Sequence, residues 1–226
     1  DPADRGLAPD RVRRQIRGSL ERLGVERIAL YLIHEPDPRT APAETLRALD
    51  GLVRDDLVGA IGASNVDRAY LEEALEISRR EGLARFECVQ NSYSLLDREV
   101  ETGVLSFCAE HGVAFTAFSP LAGGWLTGKY GRDRRFPAGS RMTLRPEPYA
   151  HLRADAVYEA LDELARAAAE RAVDMATLAL AWLLSHPDVT AVVVGPRRPA
   201  HLEPALAALG LPLSNGERDA LASLFP

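Results

Sequence analysis

Two features of the sequence predict an α/β fold with a parallel sheet. Short runs of apolar residues alternate with segments of helical periodicity along nearly the whole chain. The runs are apolar on both faces, which is the pattern that a buried parallel strand requires. A doubly wound sheet and a (βα)8 barrel both fit this pattern. No GxGxxG motif follows any of the runs, which counts against the dinucleotide-binding form of the doubly wound sheet.

The alternation defines five strands and eight helices. The predicted strands are 28–34, 57–63, 86–90, 113–118 and 189–194. The predicted helices are 10–23, 43–54, one that follows Asp67, 100–110, 154–170, 175–185, 199–209 and 215–224. Gly24 is expected to stop the first helix, and Asp67 and Ser214 are expected to cap later ones. Residues 131–150 contain Gly, Arg and Pro without periodicity, and we expect a long loop of the kind that is usually functional or mobile.

Composition bounds the class of protein. The chain of 226 residues has a net charge of −6 and a charged fraction of 27%. Without a polybasic run, it is not expected to bind nucleic acid or an anionic membrane. No apolar stretch approaches the roughly 20 residues that span a bilayer. Cys88 and Cys108 lack a CxxC or Cys/His neighbour, so we expect no metal site and a reduced, cytoplasmic protein. We treat residues 1–226 as one domain.

Polar or small residues follow every predicted strand. They are His34, Ser64 with Asn65, Gln90 with Asn91, Ser119, and Arg197 with Arg198. Taken singly, each has a structural explanation, such as a helix cap or a satisfied backbone group. Taken together they collect at the carboxyl ends of the strands, where both candidate folds place their sites.

These residue types suit a nicotinamide nucleotide. Amide and hydroxyl groups can hold a neutral carboxamide, and Phe118 offers a flat face to a planar ring. The Gly-Gly turn after Ser119 exposes backbone N–H groups that can cradle a pyrophosphate. The arginines after the last strand can pair with a phosphate monoester in bidentate fashion. The sequence therefore predicts an NADPH site. The arginines of 131–150 could clamp the cofactor or an anionic substrate, but a solvated loop is the preferred explanation.

Five motifs resemble the aldo-keto reductase family in order and spacing. They are SLERLGVERIALYLIHEPDP, VGAIGASN, VQNSYSLLDRE, FSPLAGGWLTGKY and VVVGPRRPAHLE. The resemblance implies a (βα)8 barrel with two extra helices, which reduces an aldehyde or ketone with NADPH and without a metal. It implies that His34 orients and helps to polarise the substrate carbonyl. The cofactor-binding residues that it implies are Ser64, Asn65, Gln90, Phe118, Ser119, Leu121, Gly123, Gly195, Arg197 and His201.

The sequence also departs from the family pattern. Pro204 and Ala205 stand where an acidic residue and Asn often contact the adenine. The family's catalytic Asp, Tyr and Lys come from its first strands, and no Tyr of this chain matches the proton donor. We therefore expect the C-terminal portion of a barrel, with about five of eight strands, that does not turn over alone. Its partner would be a small carbonyl substrate, and it would be a monomer or homo-oligomer. The alternative is a non-catalytic NADPH-binding regulatory subunit, as in the potassium-channel β-subunit branch.

Overall fold

Strands and helices alternate along the chain in the predicted order. The computed structural model describes residues 5–132 and 134–225, so Asp1, where the predicted domain starts, lies outside it. The strands are β1 (Ile28–Ile33), β2 (Val58–Ser64), β3 (Phe86–Ser92), β4 (Ala114–Phe118) and β5 (Ala191–Val192). The helices are α1 (Pro9–Leu23), α2 (Pro42–Arg54), α3 (Arg68–Glu81), α4 (Val104–Glu110), α5 (Arg141–Leu144), α6 (Asp155–Glu170), α7 (Met175–Leu184), α8 (Glu203–Leu209) and α9 (Asn215–Ala222). Short 3-10 helices precede α4, α6 and α8 and follow β4.

The chain divides into two compact units. Unit 1 comprises Asp1–Asn91 and Val100–Thr116, and it contains β1, β2, β3 up to Asn91, the start of β4, and α1 to α4. Unit 2 comprises Ser92–Glu99 and Ala117–Pro226, and it contains the end of β4, β5, and α5 to α9. Each unit has its own buried residues, and the two are described separately below.

Hydrogen bonds join the strands in the order β1-β2-β3-β4-β5, which is also their order in the chain. β1 and β2 are parallel with Ile28 opposite Val58, and β2 and β3 are parallel with Ile61 opposite Phe86. Parallel neighbours need a crossover connection, and α2 and α3 supply it here. The predicted α/β class with a parallel sheet is therefore confirmed.

Burial of the two outer strands differs from the prediction. The apolar runs 28–34 and 189–194 were expected to be buried, yet Leu30 in β1 is 37% exposed and Val193 beside β5 is 43% exposed. The last strand is also shorter than predicted, with only two residues. Within the described residues, each of these strands has a neighbour on one side only, because both lie at an edge of the sheet. Composition predicts a strand, but only its neighbours decide whether it is covered.

The predicted helix signals are confirmed. Gly24 ends α1 in the left-handed conformation, with φ of 65°. Asp67 caps α3 by accepting a hydrogen bond from the Tyr70 backbone N–H at 2.8 Å. Ser214 caps α9 in a reciprocal arrangement with Glu217.

Three predicted segments have a different local structure. The predicted helix 199–209 begins as a 3-10 turn (Pro199–Leu202) and continues as α8. The predicted helix 100–110 is interrupted at Gly103, which separates a 3-10 turn (Glu99–Thr102) from α4. The predicted loop 131–150 includes α5 and the start of the 3-10 helix Glu147–Arg153. The two helical pieces within 131–150 are too short to produce the apolar periodicity by which the sequence reveals a helix.

Each unit has a buried core. In unit 1, Leu49 and Leu52 of α2 and Ile61 of β2 have no exposed surface. In unit 2, Trp182 donates from Nε1 to the Arg218 carbonyl at 3.0 Å, and the Arg218 guanidinium donates back to the Trp182 carbonyl at 3.1 Å. No helix among the described residues combines the length and hydrophobicity needed to cross a membrane.

Candidate functional site

In unit 1 the ends of three strands are joined by polar contacts. The Ser64 hydroxyl, at the end of β2, donates to the Gln90 carbonyl at 2.6 Å. The Asn65 side chain donates from Nδ2 to the His34 carbonyl at 2.7 Å and to Ser64 Oγ at 3.2 Å. The structure thus brings together the backbones of His34, Ser64, Asn65 and Gln90, which the sequence placed at adjacent strand ends.

The backbone of Asn65 has an unusual conformation that suits this role. Its φ is 54°, in the left-handed region that Asn adopts more readily than most residues. Asn91 secures the next residue, because its side chain donates to the Val66 carbonyl at 2.6 Å and accepts from the Val66 N–H at 3.2 Å. Since Asn91 is buried, these bonds fix the chain that carries Asn65.

His34 follows β1 directly and its side chain is exposed. Its carbonyl is held by Asn65, so the backbone of His34 is fixed while the imidazole is open to solvent. An exposed imidazole can donate a hydrogen bond to a carbonyl oxygen that approaches it.

Asp37, three residues after His34, forms a cluster of contacts that the sequence analysis did not single out. Its side chain is only 6% exposed. It accepts hydrogen bonds from the backbone N–H of Leu7 at 2.9 Å and of Arg39 at 3.1 Å, and from the Thr40 hydroxyl at 3.0 Å. These donors, with the Arg39 guanidinium, hold the pKa of Asp37 far below its usual range. The Asp-x-x-Thr spacing was the available signal, because an Asp that starts a turn often bonds to the residues just after it.

In unit 2, β4 ends in a turn built from residues in left-handed conformations. Ser119, Ala122, Gly123 and Gly124 have φ values of 54°, 45°, 65° and 101°. The N–H groups of Ala122 and Gly124 are used within the turn, where they donate to the carbonyls of Ser119 and Leu121 at 2.8 Å. The remaining N–H groups of the turn belong to Ser119, Leu121 and Gly123, which are the positions predicted to lie along a pyrophosphate.

Two side chains rest on the glycines of this turn. A Cβ atom on Gly123 would lie 2.5 Å from Cζ of Tyr149, so the phenol ring covers that residue. A Cβ atom on Gly124 would collide with the ammonium end of Lys129. Lys129 is exposed and therefore places a positive charge beside the turn. The Tyr149 ring leaves no room for a side chain at position 123, whereas at position 124 the positive φ is what favours glycine, because the flexible end of Lys129 can move. Neither contact was evident from the sequence.

The segment after β5 holds the predicted phosphate-binding residues. The backbone N–H of Arg197 donates to Nδ1 of His201 at 3.2 Å, and the Arg197 guanidinium donates to the Gly139 carbonyl at 2.7 Å. Gly195, Arg197 and His201 are all exposed. Among the described residues, neither Arg197 nor Arg198 forms an ion pair. Within the described part of this negatively charged chain, two guanidinium groups therefore lack an acidic partner.

The cysteines are structural. Cys88 and Cys108 are both buried in unit 1 as free thiols. Burial raises the pKa of the Cys108 thiol to about 12, so it is neutral at physiological pH. No group of three potential metal ligands was found among the described residues.

Comparison with known proteins identifies the family. A sequence profile described as the Aldo/keto reductase family matches residues 1–225. The NADH-specific methylglyoxal reductase of Escherichia coli is 31% identical over 216 residues, which are 94% of this chain and 64% of that protein. A probable voltage-gated potassium channel subunit beta of rice (Oryza sativa subsp. japonica) is 33% identical over 199 residues, which are 86% of this chain and 60% of that protein.

Solved structures agree. The glycerol dehydrogenase from Gluconobacter oxydans superposes with a TM-score of 0.84 at 29% identity, over 97% of this chain and 65% of that one. A thermostable aldo-keto reductase in complex with the inhibitor epalrestat superposes with a TM-score of 0.75 at 32% identity, over 96% of this chain and 67% of that one. This chain belongs to the aldo/keto reductase family. It spans about two thirds of the length of these relatives.

Proposed function

We propose that this chain forms the cofactor-binding portion of an NADPH-dependent reductase of aldehydes or ketones. The observation that carries the proposal is the set of polar contacts that joins the ends of β1, β2 and β3 beside an exposed His34. The Ser64 hydroxyl and the Asn65 Nδ2 group donate within this cluster, which leaves Oδ1 of Asn65 and the Gln90 side chain for a carboxamide and the imidazole for a carbonyl oxygen. Family membership supports the reaction class.

In this proposal His34 orients the substrate carbonyl and helps to polarise it by donating a hydrogen bond to the oxygen. The held carbonyl of His34 limits the region that the imidazole can reach. Ser64, Asn65 and Gln90 hold the nicotinamide carboxamide. The side-chain bonds of Ser64 and Asn65 orient the two residues, and the Oδ1 atom of Asn65 is a further acceptor.

The residues of unit 2 fit the phosphate groups of the cofactor. The turn of Ser119, Leu121 and Gly123 with the ammonium of Lys129 beside it suits a pyrophosphate. Phe118 is half-buried and offers one face for stacking on the nicotinamide ring. When bound, the cofactor supplies a hydride from nicotinamide C4 to the carbonyl carbon.

Arg197 is the basis for choosing NADPH over NADH. Its guanidinium is exposed and lacks an acidic partner among the described residues. The Gly139 carbonyl holds the guanidinium, and His201 holds the Arg197 backbone N–H. A 2′-phosphate would supply the missing charge, with Arg198 beside it. One relative is named as NADH-specific, so the preference requires a direct test. Pro204 and Ala205 offer no polar side chain to the adenine.

We also propose that the proton donor lies outside these residues, in an incomplete barrel that does not turn over alone. Tyr93 and Tyr130 are buried, Tyr130 donates to the Gly123 carbonyl at 3.2 Å, and Tyr158 packs on Trp125. These three rings pack or hydrogen-bond within the fold, so we do not assign any of them as the proton donor. The exposed Leu30 of β1 and Val193 beside β5 support the incomplete barrel, because an uncovered apolar edge favours pairing with a further strand.

The second candidate function is that of a nicotinamide-binding regulatory subunit. It is favoured by the likeness to proteins named as probable potassium channel β subunits in rice and Arabidopsis thaliana. Such a subunit would bind the cofactor without appreciable turnover and would associate with a membrane protein.

A fluorescence titration with NADPH and with NADH tests the proposal, after the intact mass of the chain is checked. We expect saturable binding with a preference for NADPH. Turnover of a carbonyl substrate by the full-length protein would then separate the reductase from the regulatory subunit. Failure of a folded chain of full mass to bind either nucleotide would contradict the cofactor assignment.

A further inference from the structure

The Asp37 carboxylate attaches the loop that follows His34 to a part of unit 1 that is distant in sequence. The two oxygens of Asp37 accept hydrogen bonds from different donors. Oδ2 accepts from the Leu7 N–H and the Thr40 hydroxyl, and Oδ1 accepts from the N–H and Nε of Arg39. Leu7 is 30 residues away in sequence, so this contact is tertiary. All four donors are satisfied by one side chain that is almost out of contact with solvent.

Arg39 strengthens the same attachment. Its Nη2 donates to the Arg5 carbonyl at 3.0 Å, on the other side of Gly6 from the Leu7 N–H. The Arg11 guanidinium then donates to the Gly6 carbonyl at 2.9 Å. The peptide groups on both sides of Gly6 are therefore held by the 37–39 loop.

Gly6 is the residue that permits this close approach. Its φ is 104°, in a region that side chains rarely adopt. A Cβ atom there would collide with Oδ2 of Asp37 and would lie 2.5 Å from Nη2 of Arg39. The attachment therefore depends on a matched pair, a carboxylate at position 37 and a glycine at position 6.

We propose that Asp37 is a positioning residue for His34. The segment between them is short and both of its ends are held, by Asn65 at the His34 carbonyl and by the four donors at Asp37. A segment of three peptide units held at both ends has little freedom to move, so the Asp37 contacts limit the excursions of the imidazole. The inference rests on the proposed function, in which His34 contacts the substrate carbonyl.

Asp37→Asn is the primary test. An amide in place of the carboxylate turns one acceptor oxygen into a donor, which faces either the Leu7 N–H or the two donors of Arg39. We expect amide hydrogen exchange to accelerate by at least about tenfold at Leu7 or at Arg39, whichever faces the new donor, which is the effect of losing a hydrogen bond to a charged group. The NMR resonances of the His34 and Glu35 backbone and of the His34 imidazole should shift. The imidazole signal is assigned with His34→Gln.

Gly6→Ala tests the same attachment from the other side and leaves the carboxylate intact. It should reproduce the local changes of Asp37→Asn. Thr40→Val, which removes only the hydroxyl donor, provides a milder variant should the first two fail to fold. Gly24→Ala is the matched glycine control, since Gly24 also has positive φ but has no atom near its missing Cβ. Asp56→Asn is the matched carboxylate control, because Asp56 is 81% exposed in its ion pair with Arg27.

The result supports the inference if exchange accelerates at Leu7 or Arg39 and the His34 signals move in the test variants alone. A uniform acceleration at all amides, equal to the loss of global stability, would show a merely structural role and overturn it. Unmoved His34 signals would also overturn it. An NADPH titration of the same variants addresses the proposed function separately. The inference expects these variants to bind NADPH with an affinity within about twofold of the wild type. If the wild type itself does not bind NADPH, that result contradicts the proposed function and not the positioning role of Asp37.

Discussion

Replacing Arg197 with Ala is predicted to weaken NADPH binding much more than NADH binding. The guanidinium uses one donor on the Gly139 carbonyl and keeps its other side-chain donors for a ligand. The 2′-phosphate is the only group that distinguishes the two nucleotides, so an interaction with it must appear in the NADPH affinity alone.

The magnitude follows from the position of Arg197. The side chain is exposed, so solvent screens its charge, and attraction to a phosphate near 4 Å is worth about 1.5–2 kcal/mol in water. Hydrogen bonds to a charged group contribute about 1.5–3 kcal/mol, and the two estimates describe the same contact. A loss of about 2 kcal/mol corresponds to a weakening of about 30-fold. Loss of the Gly139 contact should cost little, because Gly139 is itself exposed.

The assay is nucleotide fluorescence titration of the wild type, Arg197→Ala and Arg197→Lys. Lys keeps the charge but not the bidentate geometry, so its NADPH affinity should lie between the other two. Arg166→Ala is the matched control, since Arg166 is an exposed arginine of unit 2 in a surface pair with Glu163. Raising the salt concentration should reduce the difference between wild type and Arg197→Ala. Equal weakening for NADPH and NADH, or no weakening for either, would refute the assignment.

Three further predictions concern stability. Gly123→Ala should destabilise the protein by about 1–3 kcal/mol in urea denaturation, because it combines positive φ with a collision against Tyr149, and adding Tyr149→Ala should restore part of the loss. Trp182→Phe should cost about 2–3 kcal/mol in the same assay, because it leaves the Arg218 carbonyl without its buried donor and opens a small cavity. Folding lowers the pKa of Asp37, so its carboxylate should stabilise the folded state by about 2 kcal/mol, the usual strength of such bonds. This stabilisation should be present above the unfolded pKa near 3.9 and lost as the pH falls below it. The melting temperatures of the wild type and Asp37→Asn should therefore converge in acid.

Each of these has a distinct contrary outcome. Full recovery of Gly123→Ala by Tyr149→Ala would mean that the backbone conformation costs nothing. A neutral Trp182→Phe would mean that water or another donor reaches the Arg218 carbonyl. A difference between wild type and Asp37→Asn that grows toward acid would mean that the Asp37 pKa is raised by folding.

The order of elements and several of their boundaries could be predicted because their causes are local. Gly24 ends α1 for a reason contained in its own backbone, and Asp67 and Ser214 cap helices through bonds to residues three positions ahead. The meeting of His34, Ser64 and Gln90 was also predictable, since successive parallel strands bring their carboxyl ends to one edge.

What the sequence alone determined is therefore the class of fold, the strand-end positions of the candidate site, and the family that the motifs resemble. The tertiary structure decided which apolar strands are covered, which residues Tyr149 and Lys129 contact, and which donors bond to Asp37. Leu30 and Ile61 both lie in apolar strands, yet one is exposed and the other is buried, because burial depends on the neighbouring strands. Asp37 meets Leu7 and Gly6 only after folding, because a hydrogen bond between residues 30 positions apart leaves no periodic trace in the sequence.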